Sequence, residues 1–192
     1  IAHIGKSHEG PVLWSGSSGL ARALGGRGKI PSHARALPVL LVLGTDHPVT
    51  AQQLTRFSGD ERHWVVCHRE GRPAAETVRD LISALKNHDA VALTFSFAHA
   101  DRRVARAHLA SALQSLLGTI TKPGSLIVSG GETLQSVCKA LGAAWLEVVG
   151  EESPGFPIAV LQGGMWDGLT SVSKSGAFGA PDALARLVSP AT

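Results

Sequence analysis

Ser125-Leu126-Ile127-Val128-Ser129-Gly130-Gly131-Glu132-Thr133-Leu134 decides how this chain is read. An apolar run of strand length meets a pair of glycines and passes directly into helical spacing. A helix N-terminus leaves several N–H groups without intrahelical partners and carries partial positive charge. Glycine lets a ligand approach that backbone closely, so strand–glycine–helix junctions are where α/β proteins hold anions. The stretch is therefore expected to form one wall of a nucleotide site.

Outward from it, the same grammar repeats. On the amino-terminal side, Pro38 to Leu43 is a continuous apolar run, as expected of a strand buried on both faces of a parallel sheet. It ends at Gly44-Thr45, and Thr50-Ala51-Gln52-Gln53 fits a capping box opening the next helix. His63 to Cys67 and Asp89 to Phe95 are predicted strands; Pro73 to Leu85 and Asp101 to Leu117 are predicted helices, the second closed by Gly118. On the carboxyl side the helix after Gly131 is expected to run to Leu141 and stop at Gly142. Strands are predicted at Trp145 to Val149, Ile158 to Leu161 and Leu169 to Ser173. A last helix covers Ala183 to Val188, with Pro181 at its first position. Alternating strands and helices imply an α/β fold: a mostly parallel sheet with helices on both faces, Rossmann-like and three-layered, with glycine turns at the carboxyl edge.

Near the start, Val12-Leu13-Trp14 reads as a short strand leading through Gly16-Ser17-Ser18-Gly19 into a helical stretch from Leu20 to Leu24. Gly25-Gly26-Arg27-Gly28-Lys29-Ile30-Pro31 is the most linker-like segment of the chain. The expected organisation is residues 1–29 as the tail of an upstream domain and residues 30–192 as the α/β domain that carries the nucleotide site. The first residue is Ile1 and no signal-peptide pattern follows, so the natural N-terminus is expected to lie further upstream.

Composition narrows the function classes. Of 192 residues, 44% are apolar and 17% charged, which suits a globular core rather than a disordered chain. Formal net charge is only +3 and no basic run exceeds Arg102-Arg103, so no nucleic-acid stripe is expected. The longest uninterrupted apolar run, Val39 to Leu43, is too short to span a bilayer. Cys67 and Cys138 lack the spacing of a zinc site or a disulfide framework, which fits a cytoplasmic protein.

Three strand-to-loop turns carry the candidate chemistry: Gly44-Thr45, Ser129 to Thr133, and Lys174-Ser175-Gly176-Ala177-Phe178-Gly179. None is a Walker A or dinucleotide GxGxxG loop. Glu132 has two readings. It completes a capping box with Ser129, or it meets a Mg²⁺ or a ribose hydroxyl, because a bare phosphate would be repelled by a carboxylate there. Lys174 likewise is either a phosphate-neutralising cation or a solvated strand terminus. His99 with Asp101 reads as a helix start rather than a metal site, and Ser17 and Ser18 lack the GxSxG context and a base.

Taken in order, these segments resemble the four-carbon acid sugar kinases. Gly16-Ser17-Ser18-Gly19-Leu20-Ala21 is similar to the segment closing that family's sugar-acid-binding N-terminal domain. Leu41 to Thr45 with Val49 to Gln53 resembles the opening of its nucleotide-binding C-terminal domain. Gly130-Gly131-Glu132-Thr133, Pro154-Gly155-Phe156-Pro157 and Lys174 to Gly179 resemble its later motifs. Thr45 stands where the family usually has Ser, and Ala177 where it usually has Gly. The resemblance implies an ATP- and Mg²⁺-dependent kinase acting on erythronate, threonate or 3-oxo-tetronate acids, with a homodimer among the assemblies it allows. ATP contacts would fall at Thr45, Gly130, Gly131, Glu132, Thr133 and Gly176, with Lys174 as a further phosphate contact. The sugar-acid substrate and the catalytic residues would belong to the N-terminal domain, so the present chain alone is expected to bind ATP at best weakly and to turn nothing over. A non-catalytic nucleotide-binding module and a sugar-phosphate isomerase-like domain are the other readings.

Overall fold

Five consecutive apolar side chains with no polar alternation, Val39 to Leu43, can be accommodated only where both faces of a strand are covered. In the computed structural model, which describes residues 10–16, 18–25, 35–97 and 101–189, this run is the inner strand β1 (Val39–Leu43), with every residue buried. The contacts divide the chain into two compact units, Ile1–Pro31 and Ser32–Thr192.

In the first unit the described helix is α1 (Ser18–Gly25). The strand expected at Val12-Leu13-Trp14 does not form: these residues join no ladder, and Leu13 is 96% exposed. A strand needs a neighbour to satisfy its backbone groups, and the described residues of this unit supply none. Ser17, His99 and all of the predicted linker beyond Gly25 lie outside the described residues.

The second unit is a seven-stranded sheet flanked by helices. In chain order its elements are β1, α2 (Pro48–Phe57), β2 (His63–Arg69), α3 (Ala74–Asn87), β3 (Ala90–Ser96), α4 (Arg102–Leu117), β4 (Ser125–Ser129), α5 (Gly131–Leu141), β5 (Trp145–Ser153), β6 (Phe156–Gln162), β7 (Thr170–Lys174) and α6 (Ala183–Val188). The sheet order is β2-β3-β1-β4-β7-β6-β5. The pairs β2–β3, β3–β1, β1–β4 and β4–β7 are parallel. The α/β, mostly parallel, three-layered expectation is met. The exception is the end of the sheet, where β5 and β6 form an antiparallel hairpin and β6 runs antiparallel to β7. The link Pro154-Gly155 is far too short for a parallel crossover, which needs a dozen or more residues.

Side-chain alternation along the strands makes two cores. On one face Leu40, Val42, Leu93, Leu126 and Val128 pack against Val78 and Leu81 of α3, Leu109, Leu113 and Leu116 of α4, and Val137 and Leu141 of α5. On the other, Val39, Leu41, Leu43 and Ile127 pack against Phe57 of α2 and Leu184, Leu187 and Val188 of α6. Each fully buried Leu or Val of this kind contributes roughly 1.5–3 kcal/mol of transfer free energy. Ile82 and Leu85 of α3 are only partly buried at the margin of the first core.

Two helix starts differ from expectation. The capping box at Thr50–Gln53 does not exist: His47 caps α2, its Nδ1 accepting from Val49 N–H at 3.2 Å, with Pro48 at the first turn. Thr50 and Gln53 thus lie inside the helix and are buried. Helix α6 begins at Ala183 with Asp182 as its cap, so Pro181 belongs to the preceding turn. Elsewhere the local signals hold: Asp101 caps α4 by accepting from Arg103 N–H at 2.7 Å, and Gly142 ends α5 in the left-handed region at φ 67°.

Candidate functional site

The strands β1, β4 and β7 lie side by side and end together, with Leu43 opposite Ser129 and Ser129 opposite Lys174. Their three following turns therefore meet at one edge of the sheet. The helices after β1 and β7 pack on one face, and the helix after β4 packs on the other. Chain paths that leave adjacent parallel strands toward opposite faces open a crevice at the strands' carboxyl ends, the usual ligand position in open α/β sheets. The glycine turns picked out in the sequence line this switch point.

Glycine is required here by close approach. Gly130 has φ 102°, a value that side chains with a Cβ rarely adopt, and its N–H donates to Lys174 C=O at 2.8 Å, tying the β4 turn to the end of β7. A Cβ at Gly176 would lie 2.8 Å from Thr45 Oγ1, so the third turn is pressed against the first. Thr45 Oγ1 itself accepts from His47 N–H at 3.2 Å. Thr133 is buried under this arrangement: a Cβ at Gly44 would lie 2.5 Å from its Oγ1. Gly131, by contrast, opens helix α5 with free space where its Cβ would be. Thr45, Gly130, Gly131, Thr133 and Gly176 thus come together.

Lys174 is the largest departure from a bland reading. It is not a solvated strand terminus; it is 3% exposed, and its ammonium donates to Ser129 Oγ at 3.1 Å and to Thr50 Oγ1 at 3.5 Å. Among the described residues no carboxylate pairs with it, and burial alone pulls its pKa down to about 8. A buried ammonium held only by hydroxyls is an uncompensated positive charge beneath the glycine turns, and an incoming anion would complete it. The reason for its burial is register: Lys174 and Ser129 are paired neighbours on the face covered by α2.

Of the two readings of Glu132, the structure overturns the capping box. No capping box forms with Ser129, because Gly130 is the helix cap without a side-chain bond, and the Ser129 hydroxyl is engaged by Lys174. Glu132 is 68% exposed and pairs with Arg106 of α4, whose Nε donates to Oε2 at 2.9 Å with a second contact from the guanidinium NH2. It remains at the rim of the crevice in the first turn of α5. Among the described residues no cluster of three or more His, Cys, Asp or Glu side chains could hold a metal by itself. Mg²⁺ usually keeps several waters and is bound by one or two carboxylates together with substrate phosphates, so this donor set suits an ion that arrives on a nucleotide.

Two residues of the site were hidden by their sequence context. Thr50 Oγ1 donates to Gly176 C=O at 2.9 Å, and Gln53 Nε2 donates to Phe178 C=O at 2.9 Å and Ala180 C=O at 3.0 Å. The signal available in sequence was their spacing of three, which puts both on one helical face. Other polar clusters have local roles: His68 Nδ1 meets Thr77 Oγ1 at 2.9 Å inside the first core's margin. Two shallow concavities, beside Thr55, Asp60 and Ala185 and beside Trp64, Arg72 and His88, gather none of the glycine turns. Among the described residues no helix is long and apolar enough to cross a membrane.

Comparison with known proteins gives a consistent set. The family described as the nucleotide-binding C-terminal domain matches residues 40–184. A D-threonate kinase from Bordetella bronchiseptica is 27% identical over 194 residues, covering 89% of this chain and 44% of that protein. The chain thus spans less than half the length of the curated relative it matches. Among solved structures, a Bordetella bronchiseptica domain of unknown function, crystallised with bound citrate as a domain-swapped dimer, superposes with a TM-score of 0.67 at 24% identity. That match covers 80% of this chain and 41% of the other. A Haemophilus influenzae protein superposes with a TM-score of 0.54 at 19% identity, covering 84% and 42%. These two likenesses bear on the fold.

Proposed function

The chain belongs to the nucleotide-binding C-terminal domain family of the four-carbon acid sugar kinases, and from that premise we propose that its crevice binds ATP·Mg²⁺ for phosphoryl transfer to a tetronate-type sugar acid. The observation that carries this reading is the convergence of three glycine turns over the buried ammonium of Lys174, which pairs with no carboxylate among the described residues. Phosphoryl transfer asks a protein chiefly for positioning and for neutralisation of charge on the transferred group. Backbone N–H groups of Gly131 and Glu132, in the first turn of α5, supply donors and the positive end of a helix dipole, while the Gly130 N–H stays bound to Lys174 C=O. Lys174 supplies a full charge from below, and Thr45 and Thr133 supply hydroxyls at the turns. Glu132 at the rim is the carboxylate available to a Mg²⁺ held on the phosphates or to a ribose hydroxyl, once released from Arg106.

In this reading the sugar acid and the residues that activate its hydroxyl are contributed by a domain upstream of residue 30, of which residues 1–29 are the tail. The full protein would be a phosphotransferase of the cytoplasm, assembled as a homodimer; the domain-swapped dimers of the Bordetella bronchiseptica protein are consistent with that assembly. Calorimetric titration of the 192-residue chain with ATP·Mg²⁺ and, separately, with a sugar phosphate tests the assignment. Saturable, Mg²⁺-dependent binding of ATP with little response to the sugar phosphate is expected. Preference for the sugar phosphate would replace the kinase reading with an isomerase-like one.

A further inference from the structure

We infer that Thr50 and Gln53 are positioning residues: they grip the closing loop by its carbonyls so that the Ala177 and Gly179 N–H groups form a second phosphate-binding edge facing the glycine turn of β4. The inference rests on the nucleotide reading above and adds to it a set of donors and the device that aims them.

An ammonium can only donate, so the Thr50 and Ser129 hydroxyls both accept from Lys174. The single proton of Thr50 is then committed to Gly176 C=O, at 2.9 Å. The primary amide of Gln53, 0% exposed, spends both of its donors on Phe178 C=O and Ala180 C=O. Three carbonyls of one five-residue loop are thus drawn to one face of α2. In a trans peptide the C=O and the following N–H point in opposite directions. Holding Gly176 C=O toward α2 turns the Ala177 N–H away from it, and holding Phe178 C=O does the same for the Gly179 N–H. Gly179 has φ 96°, and a Cβ there would lie 2.9 Å from both Ala183 Cβ and Phe156 Cζ and 3.1 Å from Gln53 Nε2, so the loop is held close against α6, β6 and α2 together. The Phe178 N–H is occupied internally, donating to Ser175 C=O at 3.1 Å, which leaves the two neighbouring N–H groups as the loop's outward donors. Recognition through backbone N–H also explains how alanine can stand at 177: a methyl side chain leaves the donor unchanged.

Amide chemical-shift mapping of the full chain during titration with ATP·Mg²⁺ tests this, combined with affinities for Thr50→Val and Thr50→Ser. Shifts at Ala177 and Gly179 alongside those at Gly130 and Gly131 are expected. Thr50→Val should weaken binding about tenfold and Thr50→Ser should stay within about twofold of the parent, since only the serine keeps the donor. Shifts at Gly130 and Gly131 without any at Ala177 and Gly179 would overturn the inference and leave the nucleotide reading standing. So would a Thr50→Val protein that melts earlier yet binds ATP·Mg²⁺ as before. No response at either loop would remove the nucleotide reading itself. If Thr50→Val does not fold, the map of the parent chain decides alone.

Discussion

Replacing Lys174 with methionine is expected to weaken ATP·Mg²⁺ binding by about a hundredfold while leaving the unliganded domain at least as stable at pH 7. The binding loss follows from charge: at an effective dielectric near 20, an ammonium about 5 Å from a phosphate oxygen is worth roughly 3 kcal/mol. The stability gain follows from burial. Lys174 is 3% exposed with its pKa pulled down to about 8 from 10.5, so folding near neutrality buries a charge that water would otherwise solvate. Below pH 8 both folded and unfolded chains carry the proton and the cost is felt in full. Between about 8 and 10.5 the unfolded chain holds more protons than the folded one, so stability rises with pH. The difference between parent and Lys174→Met should therefore shrink across that window, by on the order of 3 kcal/mol at its upper limit. Denaturant titrations of both proteins from pH 7 to 10.5 read this directly. A variant that binds as the parent does, or a difference that grows with pH, would mean the ammonium is paired in some other way.

Gly124→Ala should have the largest effect on the fold, costing about 3 kcal/mol or more. Gly124 lies just before β4, and its N–H donates to Pro38 C=O at 2.9 Å, joining the starts of β1 and β4. A Cβ there would run into the backbone carbonyl of Ala36 and lie 2.5 Å from that of Leu37. Backbone cannot rotate aside as a side chain can, so the two central strands must shift apart at their amino ends. Thermal or urea unfolding measures the loss. Because the glycine turns lie at the opposite end of β1 and β4, the folded fraction should keep its affinity for ATP·Mg²⁺. Equal loss of stability and of affinity per folded molecule would show that the register of β1 on β4, rather than local turn geometry, sets the site.

The parts of this molecule that could be read in sequence are those where one local signal fixes one local outcome. β1 and β4 were legible because uninterrupted Leu, Ile and Val have few alternatives to double-sided burial. The meeting of the turns after β1, β4 and β7 was legible because parallel strands end at a common edge. What could not be read depended on partners distant in sequence. Thr50-x-x-Gln53 satisfies a local cap pattern, but Pro48 shifts the helix start and the two side chains serve a loop more than a hundred residues away. Glu132 also satisfies the pattern, yet Arg106 from another helix takes its carboxylate. Lys174 looks like any lysine at a strand end until the register with Ser129 and the cover of α2 are known. The hairpin of β5 and β6 is a different matter. The sequence reading ends β5 at Val149 and starts β6 at Ile158, which leaves eight residues between them and hides the two-residue link Pro154-Gly155.

A crystal structure of the chain with ATP·Mg²⁺ bound is the measurement that bears most directly on the account. The phosphates are expected in the crevice, within hydrogen-bonding reach of the N–H groups of Gly131 and Glu132 and of the loop after Lys174, with the ammonium beneath them. A nucleotide seated elsewhere on the sheet, or phosphates that leave these turns untouched, would contradict it.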